Sequence, residues 1–159
     1  MSDLKQNDQS DMPSSPASTV WVLVYGTLRR GQANDITQLR MANLPPAEFV
    51  TQIQLPGALF DLGWYPGYSD DPAYMDEAAQ TVTVEVYRVP AALIVKLDEI
   101  EEINDSADSE YFKRWISLEL DGQTRSCLLY QINPNRLGNG VLISSGDWVS
   151  YWAKKSGAQ

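Results

Sequence analysis

The sequence predicts an α+β fold in which strands outnumber helices, and three observations carry that reading. Apolar, β-branched and aromatic runs recur, clearest at residues 20–25 and 81–89. Two further runs, 112–120 and 124–132, flank Asp121-Gly122, a pair that favours a two-residue hairpin turn. Only one segment, 90–102, spaces its apolar residues as a helix of several turns. A mixed sheet that curls toward a small β-barrel, with flanking helices, is the architecture expected.

Taken in order, residues 1–18 are polar, with two prolines and no aromatic side chain. Such a stretch buries too little apolar surface to offset its ordering entropy, so it reads as a disordered tail. Residues 20–25 are apolar on both faces and stop at Gly26, which marks a buried strand. Gly31 and Asn34 punctuate a loop, 36–41 reads as a short helix, and Leu44-Pro45-Pro46 ends it. Strands follow at 49–55 and, past Pro56, at 57–62. Residues 63–72 hold two glycines, two prolines and three Trp or Tyr residues, the composition of an ordered loop. At 81–89, Val82, Val84 and Val86 alternate with Thr83, Glu85 and Tyr87, the pattern of a half-buried strand. Pro90 then fits the first turn of the helix, where its missing N–H costs nothing. Beyond the hairpin, the chain from Asn133 reads as loop plus a short aromatic segment around Trp148, Tyr151 and Trp152. Residues 154–159 are expected to fray. One domain therefore spans 19–153.

Composition narrows the chemistry. The chain has 159 residues, with 21 Asp and Glu against 12 Lys and Arg, a formal net charge of −9. That charge argues against nucleic acid or an anionic membrane as a partner. No apolar run approaches the roughly 18 residues that span a bilayer, and the first residues lack the apolar stretch of a secretory signal. The expected location is cytoplasmic, and the oligomeric state stays open. There is no histidine and one cysteine, Cys127. Ser-His-Asp and Cys-His catalysis, histidine proton shuttles and Cys or His metal clusters are thereby excluded, so no metal or cofactor is expected.

Carboxylates, backbone N–H groups, tyrosines and one thiol remain. In Tyr25-Gly26-Thr27-Leu28-Arg29-Arg30-Gly31 a buried strand ends in one glycine and a second closes the turn. Such loops can turn consecutive N–H groups onto a concavity that binds a carboxylate or oxyanion, although a plain strand exit has the same spacing. Arg29 and Arg30 are expected to be solvated. On the helix, with Leu93 at zero, Leu97 falls at about 40°, Ile94 at about 100° and Glu101 at about 80°, inside the apolar sector. Glu102, at about 180°, and Glu99, at about 240°, face water. An inward, unpaired glutamate gains a raised pKa, which suits a general acid or base. A helix that ends at Ile100 would instead leave Glu101 in an exposed loop.

Weaker candidates accompany these. Glu85 can line a cavity, though its strand position more often faces water. Asp70-Asp71 is a thin case for a metal, with no further spaced ligands. Cys127 sits beside Leu128 and Leu129 as a core residue. Tyr111 is placed to pack on a ligand.

In series, Val24-Tyr25-Gly26-Thr27-Leu28-Arg29-Arg30-Gly31, Asn34, Gly63-Trp64-Tyr65-Pro66-Gly67, Glu85-Val86-Tyr87, Leu97-Asp98-Glu99-Ile100-Glu101 and Ser145-Gly146-Asp147-Trp148 resemble the gamma-glutamylcyclotransferase-like family. The similarity is greatest to its small bacterial branch, which also resembles the gamma-glutamylamine cyclotransferases. That resemblance implies a small mixed barrel and an enzyme that releases 5-oxoproline from a γ-glutamyl amine or peptide, without a cofactor. It implies that the N–H groups of Gly26, Thr27 and Leu28, beside Tyr25, hold the substrate, and that Glu101 is the catalytic glutamate. Two positions depart from the family pattern. Glu102 stands where the family has glycine, which bears on the local turn. Val84 replaces another glycine and is expected to narrow the cavity. A non-catalytic small-ligand binder on the same fold, or an interaction module presenting an exposed patch around Trp148 to Trp152, are the alternatives.

Overall fold

In a computed structural model, which describes residues 18–74, 80–103 and 108–157, the strands form two sheets. The elements in order are β1 (Thr19–Val24), β2 (Glu48–Pro56), β3 (Ala58–Asp61), β4 (Pro66–Ser69), β5 (Thr81–Pro90), α1 (Ile94–Ile100), β6 (Tyr111–Leu120), β7 (Gln123–Ile132), β8 (Val141–Leu142) and α2 (Trp148–Lys155). The larger sheet runs β2-β5-β1-β7-β6, and the smaller β4-β3-β8. β1 pairs antiparallel with β5 and parallel with β7, which makes the large sheet mixed.

Alternation along β1 divides the interior. Val20, Val22 and Val24 join Tyr87, Leu128 and the α1 residues Ile94 and Leu97 in one core. Leu23 joins Val82, Val84, Cys127, Leu129 and Trp148 in the other, with Leu59 and Tyr68 of the small sheet. Along β5, Val82, Val84 and Val86 pack in the second core and Tyr87 in the first, and Thr83 and Glu85 are buried too. The expected half-buried strand is thus covered on both faces. The expected barrel is replaced by two open sheets, with no ladder joining them among the described residues. The break falls where Pro56 offers no N–H and Gly57 turns beneath Tyr68, whose ring would lie 2.2 Å from a Cβ there.

Several boundaries move. Asp121 and Gly122 both take positive φ, 56° and 74°, so the hairpin closes as its turn residues require. Pro90 remains in β5 opposite Thr19, and after one 3-10 turn the helix shortens to α1. The helix expected at 36–41 is a 3-10 turn, Ile36–Gln38. β4 occupies part of the expected loop at 63–72, where Gly67 lets the chain lie against Ile132. The C-terminal aromatic segment is a helix, α2, capped by Asp147. Its last turn includes Lys154 and Lys155, which were expected to fray; Lys155 Nζ bonds Asp61 Oδ2 at 2.6 Å. Residues 1–17 of the expected tail lie outside the described residues, while Ser18 accepts a bond from Ala91 N–H. No helix among the described residues is long and apolar enough to cross a membrane.

Candidate active site

The loop after β1 is built to leave N–H groups unused. Gly26 passes so close to Pro66 that a Cβ would lie 2.5 Å from the proline Cγ, so only glycine fits. The carbonyls of Gly26, Thr27 and Leu28 accept from the N–H groups of Arg29 (3.0 Å), Asn34 (2.8 Å) and Ile36 (2.8 Å). The N–H groups of the same three residues find no acceptor among the described residues. Asn34 Nδ2 also donates to Thr27 Oγ1 at 3.1 Å, tying the far end of the loop to its start.

A buried ionic clamp holds this loop from behind. Arg29, 5% exposed, sends Nε to Glu85 Oε2 and Nη1 to Asp147 Oδ1, both at 2.8 Å. Glu85 Oε1 accepts from Arg30 N–H at 3.0 Å and from the Tyr87 hydroxyl at 2.7 Å. Asp147 accepts from Val149 and Ser150 N–H as the α2 cap. Burial alone would raise its pKa, but the Arg29 guanidinium holds the carboxyl below the usual range. Arg29 is therefore not the solvated side chain expected; Arg30 is exposed and lies over the Phe49 ring. Nor does Glu85 face water or the cavity, because its oxygens are spent on the clamp.

The opposite wall is acidic. α1 ends at Ile100, and Glu101 is its C-cap, with its N–H bonded to Leu97 O at 2.9 Å. The helix thus stops where the exposed reading placed its end, yet Glu101 is half-buried and turned to a cavity. The stop is made by Glu102 at φ 55°, with Ile103 N–H reaching back to Asp98 O at 2.9 Å. This is the left-handed helix closure for which glycine is preferred, and Glu102 adopts it without the glycine. The Glu101 carboxyl has no hydrogen-bond partner among the described residues. Burial pushes its pKa up to about 8, with the charges of Glu110 and Glu102 adding to the rise. Glu110, just before β6, accepts the Tyr65 hydroxyl at 2.5 Å. Burial and that bond push Tyr65 up to about 12.

Both walls line one cavity of about 280 Å³. Tyr25, Gly26, Thr27, Leu28, Glu101 and Tyr111, each singled out from sequence, all border it. The phenols of Tyr25 and Tyr111 donate at 2.6 Å to the carbonyls of Tyr130 and Pro66, which leaves their rings as rigid walls. Glu110 and Tyr65 were not foreseen as cavity residues, although Tyr65 sits in a block already noted and Glu110 directly precedes Tyr111. Val84 lies in the second core and does not narrow the cavity, contrary to expectation.

The weaker candidates take structural roles. Asp70 pairs with Arg114, and Asp71 accepts from Ala73 N–H. No metal-binding cluster occurs among the described residues. The Cys127 thiol is buried, which pushes its pKa up to about 11. Trp148 is 1% exposed and stacks on Trp152, so the patch an interaction module needs is folded inward there.

Residues 22–150 match the family model described as gamma-glutamyl cyclotransferase, AIG2-like. The chain belongs to that family. It is 34% identical over 132 residues to a Vibrio cholerae serotype O1 protein named "Putative gamma-glutamylcyclotransferase", covering 80% of this chain and 93% of that one. Both findings make it an enzyme of the gamma-glutamylcyclotransferase type. Among solved structures it is similar to YkqA of Bacillus subtilis (TM-score 0.60, 25% identity), spanning 89% of this chain and 44% of that one. An AIG2-like mouse protein shares the fold at TM-score 0.59 and 21% identity, over 82% of this chain and 88% of that one.

Proposed function

We propose that this cyclotransferase-family enzyme releases 5-oxoproline from a γ-glutamyl amine or γ-glutamyl peptide by intramolecular aminolysis, with Glu101 as general acid and base. The observation that carries the reading is the meeting, in one cavity, of a glutamate and three N–H groups that have no hydrogen-bond partner among the described residues.

The substrate α-amino group arrives as an ammonium ion and must lose a proton before it can attack. Glu101, with its pKa raised to about 8, accepts that proton with little mismatch. The freed nitrogen adds to the γ-carbonyl, which it reaches readily because it is tethered to the same molecule. As the bond from the carbonyl carbon to the leaving nitrogen breaks, Glu101 returns the proton to that nitrogen, then takes the second proton from the new ring nitrogen and passes it to the departing amine. The products are 5-oxoproline, with one hydrogen on its ring nitrogen, and the amine as its ammonium ion, so atoms and charge balance. The N–H groups of Gly26, Thr27 and Leu28 hold the α-carboxylate and keep the reacting chain folded on itself. Tyr25 and Tyr111 shape the wall against which the glutamyl chain packs.

The scheme uses only protein groups and the substrate's own amine. A screen of γ-glutamyl amines, γ-glutamyl dipeptides and glutathione for 5-oxoproline release tests it. Release from at least one class is expected, unchanged by exhaustive chelation. Release that requires added Mg²⁺, Mn²⁺ or Zn²⁺ would contradict the scheme.

A further inference from the structure

Among the described residues, three carboxylates, Glu101, Glu102 and Glu110, line the reaction cavity, and no lysine or arginine does. Arg29 is held in the clamp, and Arg136 stands outside the cavity in the adjoining groove, where it donates to the carbonyl of Asp108 at 2.8 Å. A half-closed acidic cavity of this kind is incomplete without a positive charge from its ligand. Glu110 is the carboxylate best prepared to meet one. Tyr65 fixes its Oε2, Glu110 is half-buried, and its other oxygen accepts nothing among the described residues. Glu102 is exposed and stands in the left-handed turn.

We propose that Glu110, anchored by Tyr65, binds the substrate's α-ammonium group and presents it to Glu101. The inference rests on the cyclotransferase reading of this cavity. The α-carboxylate and α-ammonium share one carbon, so a carboxylate held at the Gly26 loop brings the ammonium into the same cavity as Glu101 and Glu110. One N–H of the ammonium points to Glu101 and is transferred. A second points to the free oxygen of Glu110 and stays, holding the nitrogen while its lone pair turns to the γ-carbonyl. Tyr65 acts through Glu110 and is a positioning residue.

The test measures binding by calorimetry with two probes, γ-L-glutamyl methylamide and its deamino analogue, the monomethylamide of glutaric acid. The full chain carries Glu101→Gln so that the first probe is not consumed. Adding Glu110→Gln is expected to weaken the ammonium-bearing probe roughly tenfold or more, the scale of a hydrogen bond between charged groups. The deamino probe should change by less than about twofold, since it lacks the group that Glu110 holds. Adding Tyr65→Phe instead should weaken only the ammonium-bearing probe, and by a smaller factor. Equal losses for both probes, or no loss with Glu110→Gln, would overturn the inference. Undiminished 5-oxoproline release by Glu101→Gln alone would instead overturn the base assignment, and the KM for γ-L-glutamyl methylamide with and without Glu110→Gln would then decide the Glu110 inference, a raised KM supporting it and an unchanged KM overturning it.

Discussion

Two glutamates serve the same loop and are treated in opposite ways by their neighbours. Glu85 is buried behind it with a guanidinium, a backbone N–H and a phenol donating to its two oxygens. Glu101 stands across the cavity with no donor among the described residues, facing the like charges of Glu110 and Glu102. The first arrangement satisfies the charge and makes the glutamate a structural tie. The second leaves the charge unsatisfied and makes the proton easy to keep and easy to exchange. Burial alone does not make a catalytic carboxylate; the neighbours decide which kind it is.

The largest expected effect comes from breaking the satisfied side. Arg29→Met would leave Glu85 and Asp147 facing a buried gap, which should cost about 3–5 kcal/mol of stability in chemical denaturation. Arg29→Lys keeps the charge but not the planar fork that reaches both carboxylates, so it should lie between. A loss under about 1 kcal/mol for Arg29→Met would mean that the loop is held by something else.

The unsatisfied side predicts a pH dependence. The folded protein holds the Glu101 proton up to about pH 8, against about 4.5 for an ordinary glutamate. Between those values the folded state binds more protons than the unfolded one, so stability falls as pH rises. The Glu101 contribution is complete below the lower value and lost through the upper one. The groups around it are Glu102 after α1, Glu110 and Tyr111 at β6, Tyr25 after β1 and Tyr130 on β7. Glu101→Gln should remove this slope, gaining on the order of a few kcal/mol over wild type between pH 5 and 8. Parallel stability curves would break the contrast with Glu85.

The smallest effect concerns the turn between the acidic residues. Glu102→Gly relieves a non-glycine residue at φ 55° and removes one like charge from beside Glu101. Stability should rise by roughly 0.5–1 kcal/mol, since glycine's unfolded-state entropy offsets part of the relief. The acidic limb of the pH–rate profile should move down. A destabilised variant would show that Glu102 has a compensating role.

The strands and the cavity-facing side of the helix could be read from sequence because their signals are local. Asp121-Gly122 carries its own turn geometry, and the wheel put Glu101 on the side of Leu97 from residues within two turns. The clamp could not be read that way. Arg29 meets Glu85 and Asp147 across 56 and 118 positions of sequence, and an isolated arginine in a loop gives no hint of either. β4 escaped notice because Pro66 and Gly67 are turn residues by composition, and only the close approach to Ile132 gives them a place in a strand. β5 looked half-buried because alternation reports polarity, whereas on its polar face Tyr87 packs in the first core and Glu85 is held in the clamp. Glu110 gave no periodic signal, lying outside both neighbouring elements. The α2 helix did leave one: Asp147 before an apolar segment is an N-cap pattern.

The most direct test of the central claim is the turnover of Glu101→Gln beside Glu99→Gln, on whichever γ-glutamyl substrate the screen finds. Both glutamates lie at the end of α1, but Glu99 is exposed and outside the cavity. Glutamine keeps the size of the side chain and cannot accept a proton from an ammonium ion. Glu101→Gln should lower kcat by roughly 10²–10⁴-fold with the fold intact, while Glu99→Gln stays near wild type. Turnover by Glu101→Gln near the wild-type rate, or an equal fall in both variants, would contradict the account.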